Sequence, residues 1–194
     1  LSKKKKFRLF FNLPSFVLNK YFVKIFNSLF YFFGKQKVIS IVEWDKFFYQ
    51  LDSIGDWNNI YGSKGFAQFQ CVIPLKYSNN GIRDIIKIIS SSGSGAFLAV
   101  LKRFGLQDGY FSFPMEGYTL ALDFPINNKN LKLLNHLDEI VIKYEGRFNL
   151  SKDSRMSANA FYRSESRLKN FIDFRNKNKK TFNFSSEQSK RLKI

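Results

Sequence analysis

Cysteine and histidine are almost missing from these 194 residues, and acidic side chains are scarce: 15 Asp and Glu against 32 Lys and Arg. A lone Cys71 excludes an intrachain disulfide framework and a Cys-clustered zinc site. With His136 as the single histidine, a two-His zinc protease is untenable, and a Ser/His/Asp triad would have to be built on that residue. His136 lies among Leu133, Leu134 and Leu137, the setting of a helix-surface or boundary imidazole. No acidic cluster suits Mg²⁺, so no metal site is expected. No run of ~18 uncharged apolar residues exists. No small-residue cleavage site follows the basic start at 3–8, so neither a membrane span nor a secretory signal is supported. The first residue is Leu1 and the methionines are Met115 and Met156, from which a natural start further upstream is expected.

What is abundant is apolar and cationic. Apolar residues make up 44% and aromatics 18%, with 24 Phe, enough to bury a core and to exclude disorder over most of the length. One domain plus tails follows. The net charge of +17 favours an anionic partner: nucleic acid, a phosphorylated ligand or an acidic lipid surface. In the apolar stretch 10–33, Lys20, Lys24 and Asn27 recur at i, i+4 and i+7, one polar stripe on an otherwise apolar helix. Such a helix suits an anionic membrane surface with its apolar face down; it suits equally well packing against another part of the protein.

From residue 38 the pattern changes to mixed strands and helices, starting with a β-rich 38–42. Alternation in 66–73 predicts a strand with Gln68 and Gln70 on one face and Ala67, Phe69 and Cys71 on the other. Ile82, Ile85, Ile86 and Ile89 fit a helix, followed by a loop at 90–95. Residues 96–104 read as a buried strand and 118–124 as another, stopped by Pro125. Leu131, Leu134, Leu137, Val141 and Tyr144 make a second amphipathic helix, with Gly146 as its C-cap. The order strand, helix, strand, strand, helix, short strand predicts an α+β fold of the ferredoxin-like, split βαβ kind: an antiparallel sheet with helices on one face. A basic, helical C-terminus covers 157–194. The division expected is a basic amphipathic linker and helix at 1–37 and one domain at 38–194.

Ser92-Gly93-Ser94-Gly95 resembles a phosphate loop in composition only. It follows a helix and precedes a strand, whereas phosphate-cradling glycines follow a strand and open a helix. Two lysines stand out. Lys102 shares the parity of Leu98 and Val100 near a strand end, and Lys152 lies in the polar run Ser151-Lys152-Asp153-Ser154-Arg155 between a strand and a helix. A cation in either place can bind an oxyanion or polarise a carbonyl, and either lysine also reads simply as a surface residue.

Six separated blocks then stand in a familiar order: DWNNIYG at 56–62, GFAQFQ at 65–70, FLAVLKRFG at 97–105, FSFPM at 111–115, DFPI at 123–126 and KDSR at 152–155. Together they resemble the decaprenylphosphoryl-β-D-ribose 2'-oxidases, FAD-linked oxidases related to vanillyl-alcohol oxidase and the sugar-lactone oxidases. The resemblance runs from about residue 11 to the C-terminus and covers only the back half of such an enzyme. It implies that 38–194 is the substrate (cap) domain, whose sheet roofs the flavin, and that the FAD-binding domain is absent from this chain. The implied chemistry removes two hydrogens from the C2' hydroxyl of a polyprenyl-phosphate ribose, with FAD as acceptor. A reductase partner then completes epimerisation to arabinose.

Residue by residue, Lys152 matches the family lysine beside flavin and sugar, the expected catalytic residue, where a cation stabilises charge developing on the flavin. Gln70 and Lys102 match polar residues of the sugar pocket, with Gln68 on the same face, and Phe66 and Val100 match its apolar wall. Leu51, with neighbouring Ile54, matches a mobile loop over the entrance. Departures occur at Ala121, where mycobacterial members carry the cysteine that anchors covalent inhibitors, and at Thr119 in place of an asparagine. Asn149 replaces a flavin-contacting tyrosine and Asn59 an arginine of the entrance loop. A polyprenyl substrate implies a peripheral membrane location, which the basic first 40 residues would serve. The alternative substrate is a free aldonolactone. A basic nucleic-acid-binding module is the remote alternative, and nucleic acid is not expected as a partner, because the aromatics follow core periodicities and form no stacking platform.

Overall fold

The computed structural model describes residues 7–14, 20–34, 39, 41–49, 54–96, 98–107, 109, 111–178 and 184–194. A two-residue parallel pair, β1 (Phe7–Arg8) and β2 (Ile54–Gly55), ties the start of the chain to the segment before the sheet. Helices α1 (Lys20–Gly34) and α2 (Trp44–Phe48) lie between them in sequence. The sheet has two long central strands, β3 (Phe66–Pro74) and β5 (Gly117–Pro125), antiparallel over nine residues. The strand β4 (Ala99–Phe104) joins the outer side of β5, and the short β6 (Arg147–Phe148) joins β3, giving the order β4-β5-β3-β6 with every pair antiparallel. Crossovers are α3 (Ser78–Ser92) and α4 (Asn128–Lys143), so the chain from 66 to 148 runs βαββαβ, the split βαβ arrangement the sequence predicts.

Period-two alternation sorts the strand residues into two faces. Ala67, Phe69, Cys71 and Ile73, with Leu120, Leu122 and Phe124, are buried in one core with Ile85 of α3 and Leu134, Leu137 and Val141 of α4. Each fully buried Leu, Ile or Phe side chain stabilises this face by about 1.5–3 kcal/mol. Cys71 is wholly buried here, and burial pushes its thiol up to about 12, so it acts as a small apolar filler. His136 is an exposed residue of α4. Beyond β6, α5 (Ala158–Ser164), α6 (Leu168–Lys177) and α7 (Glu187–Leu192) add Phe161, Leu168 and Leu192 to the same core. The even-numbered residues of β3 and β4 and the odd-numbered ones of β5 form the other face.

Three local expectations are corrected. The α4 C-terminus is closed by Glu145, not Gly146, in the left-handed region (φ 54°), with Glu145 N–H donating to Ile142 O and Gly146 N–H to Val141 O, a Schellman motif. Gly146 is needed for space: a Cβ there would stand 2.8 Å from both Ile73 Cδ1 and Val72 O. The strand expected as buried at 96–104 begins at Ala99 and is an exposed edge, because β5 pairs with it on one side only. In the β-rich segment 38–42, the described residues Ile39, Ile41 and Val42 form no strand and are exposed; residues 38 and 40 lie outside the described set.

Candidate active site on the open sheet face

Register decides which side chains of the second face meet. Gln68 stands opposite Asp123, Gln70 opposite Ala121, Val72 opposite Thr119, and across β5 Val100 faces Ala121 while Lys102 faces Thr119. Phe66, Gln68, Gln70, Val100, Lys102, Thr119 and Ala121 therefore share one surface. Phe66 marks one end, where the Tyr61 ring stacks on it at 4.5 Å and Trp57 packs at 5.3 Å. At the other end Phe104 meets Phe113 edge-on at 5.9 Å.

A line of polar side chains crosses this surface. Gln70 Nε2 donates to Thr119 Oγ1 (3.2 Å), and Asn149 Nδ2 donates to Gln70 Oε1 (2.9 Å). Asn149 Oδ1 in turn accepts from the backbone N–H (3.1 Å) and the hydroxyl (2.8 Å) of Ser151, capping the 3-10 turn Leu150–Lys152. Asn149 thus connects the sheet to the turn that bears Lys152, an exposed side chain. Gln70 holds both ends of its amide in this line, so it stiffens the surface as well as lining it.

A second set lies at the Phe66 end. Asp123 is 1% exposed and accepts from Gln68 Nε2 (3.0 Å) and from Tyr61 OH (3.3 Å). Burial raises its pKa; the bonds from Gln68 and Tyr61 and the positive charge of Lys152 oppose that rise. Burial and the neighbouring carboxylate push the Tyr61 hydroxyl far above its ordinary value, so it remains a donor. With its N–H committed to Asp123, Gln68 retains its carbonyl oxygen for a ligand donor. The surface as a whole offers amide acceptors and donors together with two exposed cations, Lys102 and Lys152.

Of the residues expected in the site, Gln68, Gln70, Lys102, Phe66, Val100, Thr119 and Ala121 are brought onto this face, and Asn149 and Lys152 reach it through the turn after β6. Leu51 lies outside the described residues. Ile54 pairs with Phe7, and Asn59 donates to Leu9 O at 2.7 Å, holding the start of the chain. Asp123 and Tyr61 are the residues that pattern reading missed. An acid inside the apolar run 120–124, on the parity of Thr119 and Ala121, is the signal that could have found Asp123; nothing local points to Tyr61.

Over 150 residues, 77% of its length, the chain is 35% identical to decaprenylphosphoryl-beta-D-ribose oxidase of Mycolicibacterium smegmatis, and the match covers 32% of that protein. Over 77 residues, 39% of its length, it is 36% identical to an uncharacterized protein in the mprA 5' region of Streptomyces coelicolor, covering 21% of it. The chain spans a third or less of these curated relatives. No family model matches it. The likeness to the oxidase bears out the resemblance read from the six sequence blocks.

Proposed function

We propose that this chain is the substrate-side part of an FAD-dependent oxidoreductase that oxidises the C2' hydroxyl of a polyprenylphosphoryl ribose. The observation that carries the reading is the open sheet face, where Gln68 and Gln70 share one side of β3, Asn149 bonds Gln70, and Lys102 and Lys152 lie nearby. A sheet face bearing hydrogen-bonding amides and cations suits the ring portion of FAD and a sugar between ring and sheet. The phosphate portion finds no cradle among the described residues: Ser92–Gly95 sits at the C-terminal end of α3, the wrong end of the helix dipole for an anion. Its binding belongs to the FAD-binding half of the protein.

Held against this face, FAD would supply the acceptor for the hydride from C2', and the hydroxyl proton would leave to solvent. On this chain Lys152 supplies the positive charge for the negative charge that then develops beside it, and the Asn149 cap holds its turn. Lys102, on the exposed edge strand, neutralises the phosphate of the substrate. Gln68 orients a sugar hydroxyl through its carbonyl oxygen, while Phe66, Val100 and Ala121 form the apolar floor. Ala121 places no thiol on this face and Cys71 points into the opposite core, so a thiol-directed inhibitor finds no target among the residues of this face. The keto sugar formed needs a reductase partner, and the lipid-linked substrate needs the protein at a membrane surface.

The test uses the protein with its FAD-binding half present. Anaerobic polyprenylphosphoryl ribose is expected to bleach the flavin absorbance, and Lys152→Ala to slow bleaching by roughly 10²–10³-fold with Lys152→Arg recovering part of it. Bleaching by an aldonolactone but not by the lipid-linked ribose overturns the substrate; unchanged rates in Lys152→Ala overturn its role.

A further inference from the structure

The helical C-terminus encloses a pocket that shares no residue with the open sheet face. Its walls include Tyr162 of α5, Ile172 and Arg175 of α6, Lys190 of α7, and Lys193 and Ile194 just past it. Its volume is about 430 Å³, within the range of small-molecule sites. Ile172 and Ile194 pack against the main core, so the pocket lies on the core side of the sheet. It therefore serves neither the ring nor the phosphates of a flavin held on the open face.

Charge on the lining is of one sign. Arg175, Lys190 and Lys193 contribute to it, and no Asp or Glu side chain among the described residues does. Arg175 Nη2 donates to Phe184 O (2.9 Å), which fixes its guanidinium. Lys193 lies in the left-handed region (φ 57°, ψ 47°), where glycine is the usual residue to close a helix, and its carbonyl accepts from Tyr162 OH (2.8 Å). The fold thus keeps a lysine where its backbone is strained, and that lysine borders the pocket. Lys190 Nζ pairs with Glu187 (2.8 Å), but the Glu187 side chain is 90% exposed and lies outside the lining, so a bound anion can replace it at little cost. Three like charges around one cavity repel one another. A multivalent anion removes that repulsion, and a monovalent one does so only in part.

The element that carries two of these charges also braces the turn bearing Lys152. From positions next to Lys190, Gln188 Nε2 donates to Leu150 O (2.6 Å) and Arg191 Nη2 to Asp153 Oδ2 (2.8 Å). At six residues α7 is too short to hold its helix alone, so whatever fixes it fixes the turn as well.

We infer that this pocket binds a small, soluble phosphorylated anion carrying two or more negative charges, and that the bound anion steadies α7 and through it the Lys152 turn. The inference stands apart from the oxidase reading, since neither the pocket nor the hydrogen bonds of the turn depend on the substrate. The test titrates inorganic pyrophosphate into the chain by calorimetry at constant ionic strength, with acetate as the monovalent control. One site per chain is expected, with acetate at least about tenfold weaker. Lys190→Gln/Lys193→Gln is expected to weaken pyrophosphate by at least about tenfold, and Lys190→Arg/Lys193→Arg to keep it. Lys129→Gln/Lys132→Gln, which removes the same charge from exposed positions of α4, is expected to leave the affinity within about twofold. Saturating pyrophosphate is expected to slow amide hydrogen exchange severalfold in α7 and at Lys152 and Asp153. No binding overturns the site; so do several weak sites, or equal losses in the two glutamine variants, which would make the attraction a property of the overall charge. Binding without slower exchange at Lys152 and Asp153 overturns the coupling.

Discussion

Asp123 concentrates the electrostatics of the open face in one carboxyl group. It is buried, it accepts from Gln68 and Tyr61, and burial still raises its pKa against those bonds and the charge of Lys152. The folded chain therefore holds this proton at pH values where the unfolded chain has released it. The stabilisation that results is complete below the unfolded value, about 3.9, and is lost as pH rises through the raised folded value. Asp123→Asn has no proton to lose, so its melting temperature relative to the parent is expected to rise between about pH 4 and pH 7. Thermal unfolding across that range checks it; a difference independent of pH contradicts it. Gly146 shows the steric counterpart. Gly146→Ala pushes a methyl into Val141, Ile73 and the Val72 carbonyl and is expected to cost about 1–3 kcal/mol in urea unfolding. The change Glu145→Gly at the left-handed position beside it is expected to cost less than that.

Among the elements, α7 has a role its six residues do not advertise. Gln188 Nε2 donates to Leu150 O (2.6 Å) and Asp153 O (3.1 Å), and Arg191 donates to Asp153 Oδ2 (2.8 Å) and to the Met156 carbonyl. Asp153 Oδ1 accepts from the backbone N–H groups of Arg155 and Met156. The turn bearing Lys152 is thus held from the sheet by Asn149 and from behind by α7, which is anchored by the fully buried Leu192. Changing Gln188 and Arg191 together to Ala is expected to raise amide hydrogen exchange at Lys152 and Asp153 by at least about tenfold while β3 and β5 stay protected. Equal protection in both proteins would assign the brace elsewhere. A second clamp works the same way: Glu165, 4% exposed in its side chain, pairs with Arg147 and Arg167, and Arg167 reaches the carbonyls of Gly109 and Ser112. The loop before β5 is thereby tied to the helical C-terminus.

On the scale of the whole molecule, charge and exposed apolar surface combine. A net charge of +17 attracts the chain to anionic surfaces, and the outward face of α1 offers six large apolar side chains to whatever lies there. No helix among the described residues is long and apolar enough to cross a membrane. Peripheral attachment is the reading we favour. Flotation is expected with vesicles containing phosphatidylglycerol, less with neutral vesicles, and is expected to fall severalfold in Phe26→Glu/Phe30→Glu. Equal recovery with neutral and anionic vesicles, or none with either, removes the membrane reading without touching the sheet face.

Periodicity alone determined the order of strands and helices, the sharing of one face by Gln68 and Gln70, the exposed helical position of His136 and the helical C-terminus. Each of these depends on spacing within a few residues, which the backbone geometry of a strand or helix converts directly into a face. Only the tertiary structure decided that Asp123 pairs with Gln68, 55 residues away, and that Asn149 reaches Gln70 across 79. Strand register, the edge position of β4, the brace by α7 and the outward turn of α1's apolar face depend on which distant surfaces pack together. Local pattern leaves these open, because burial and hydrogen bonding between far-separated residues choose among arrangements that are equivalent within each element.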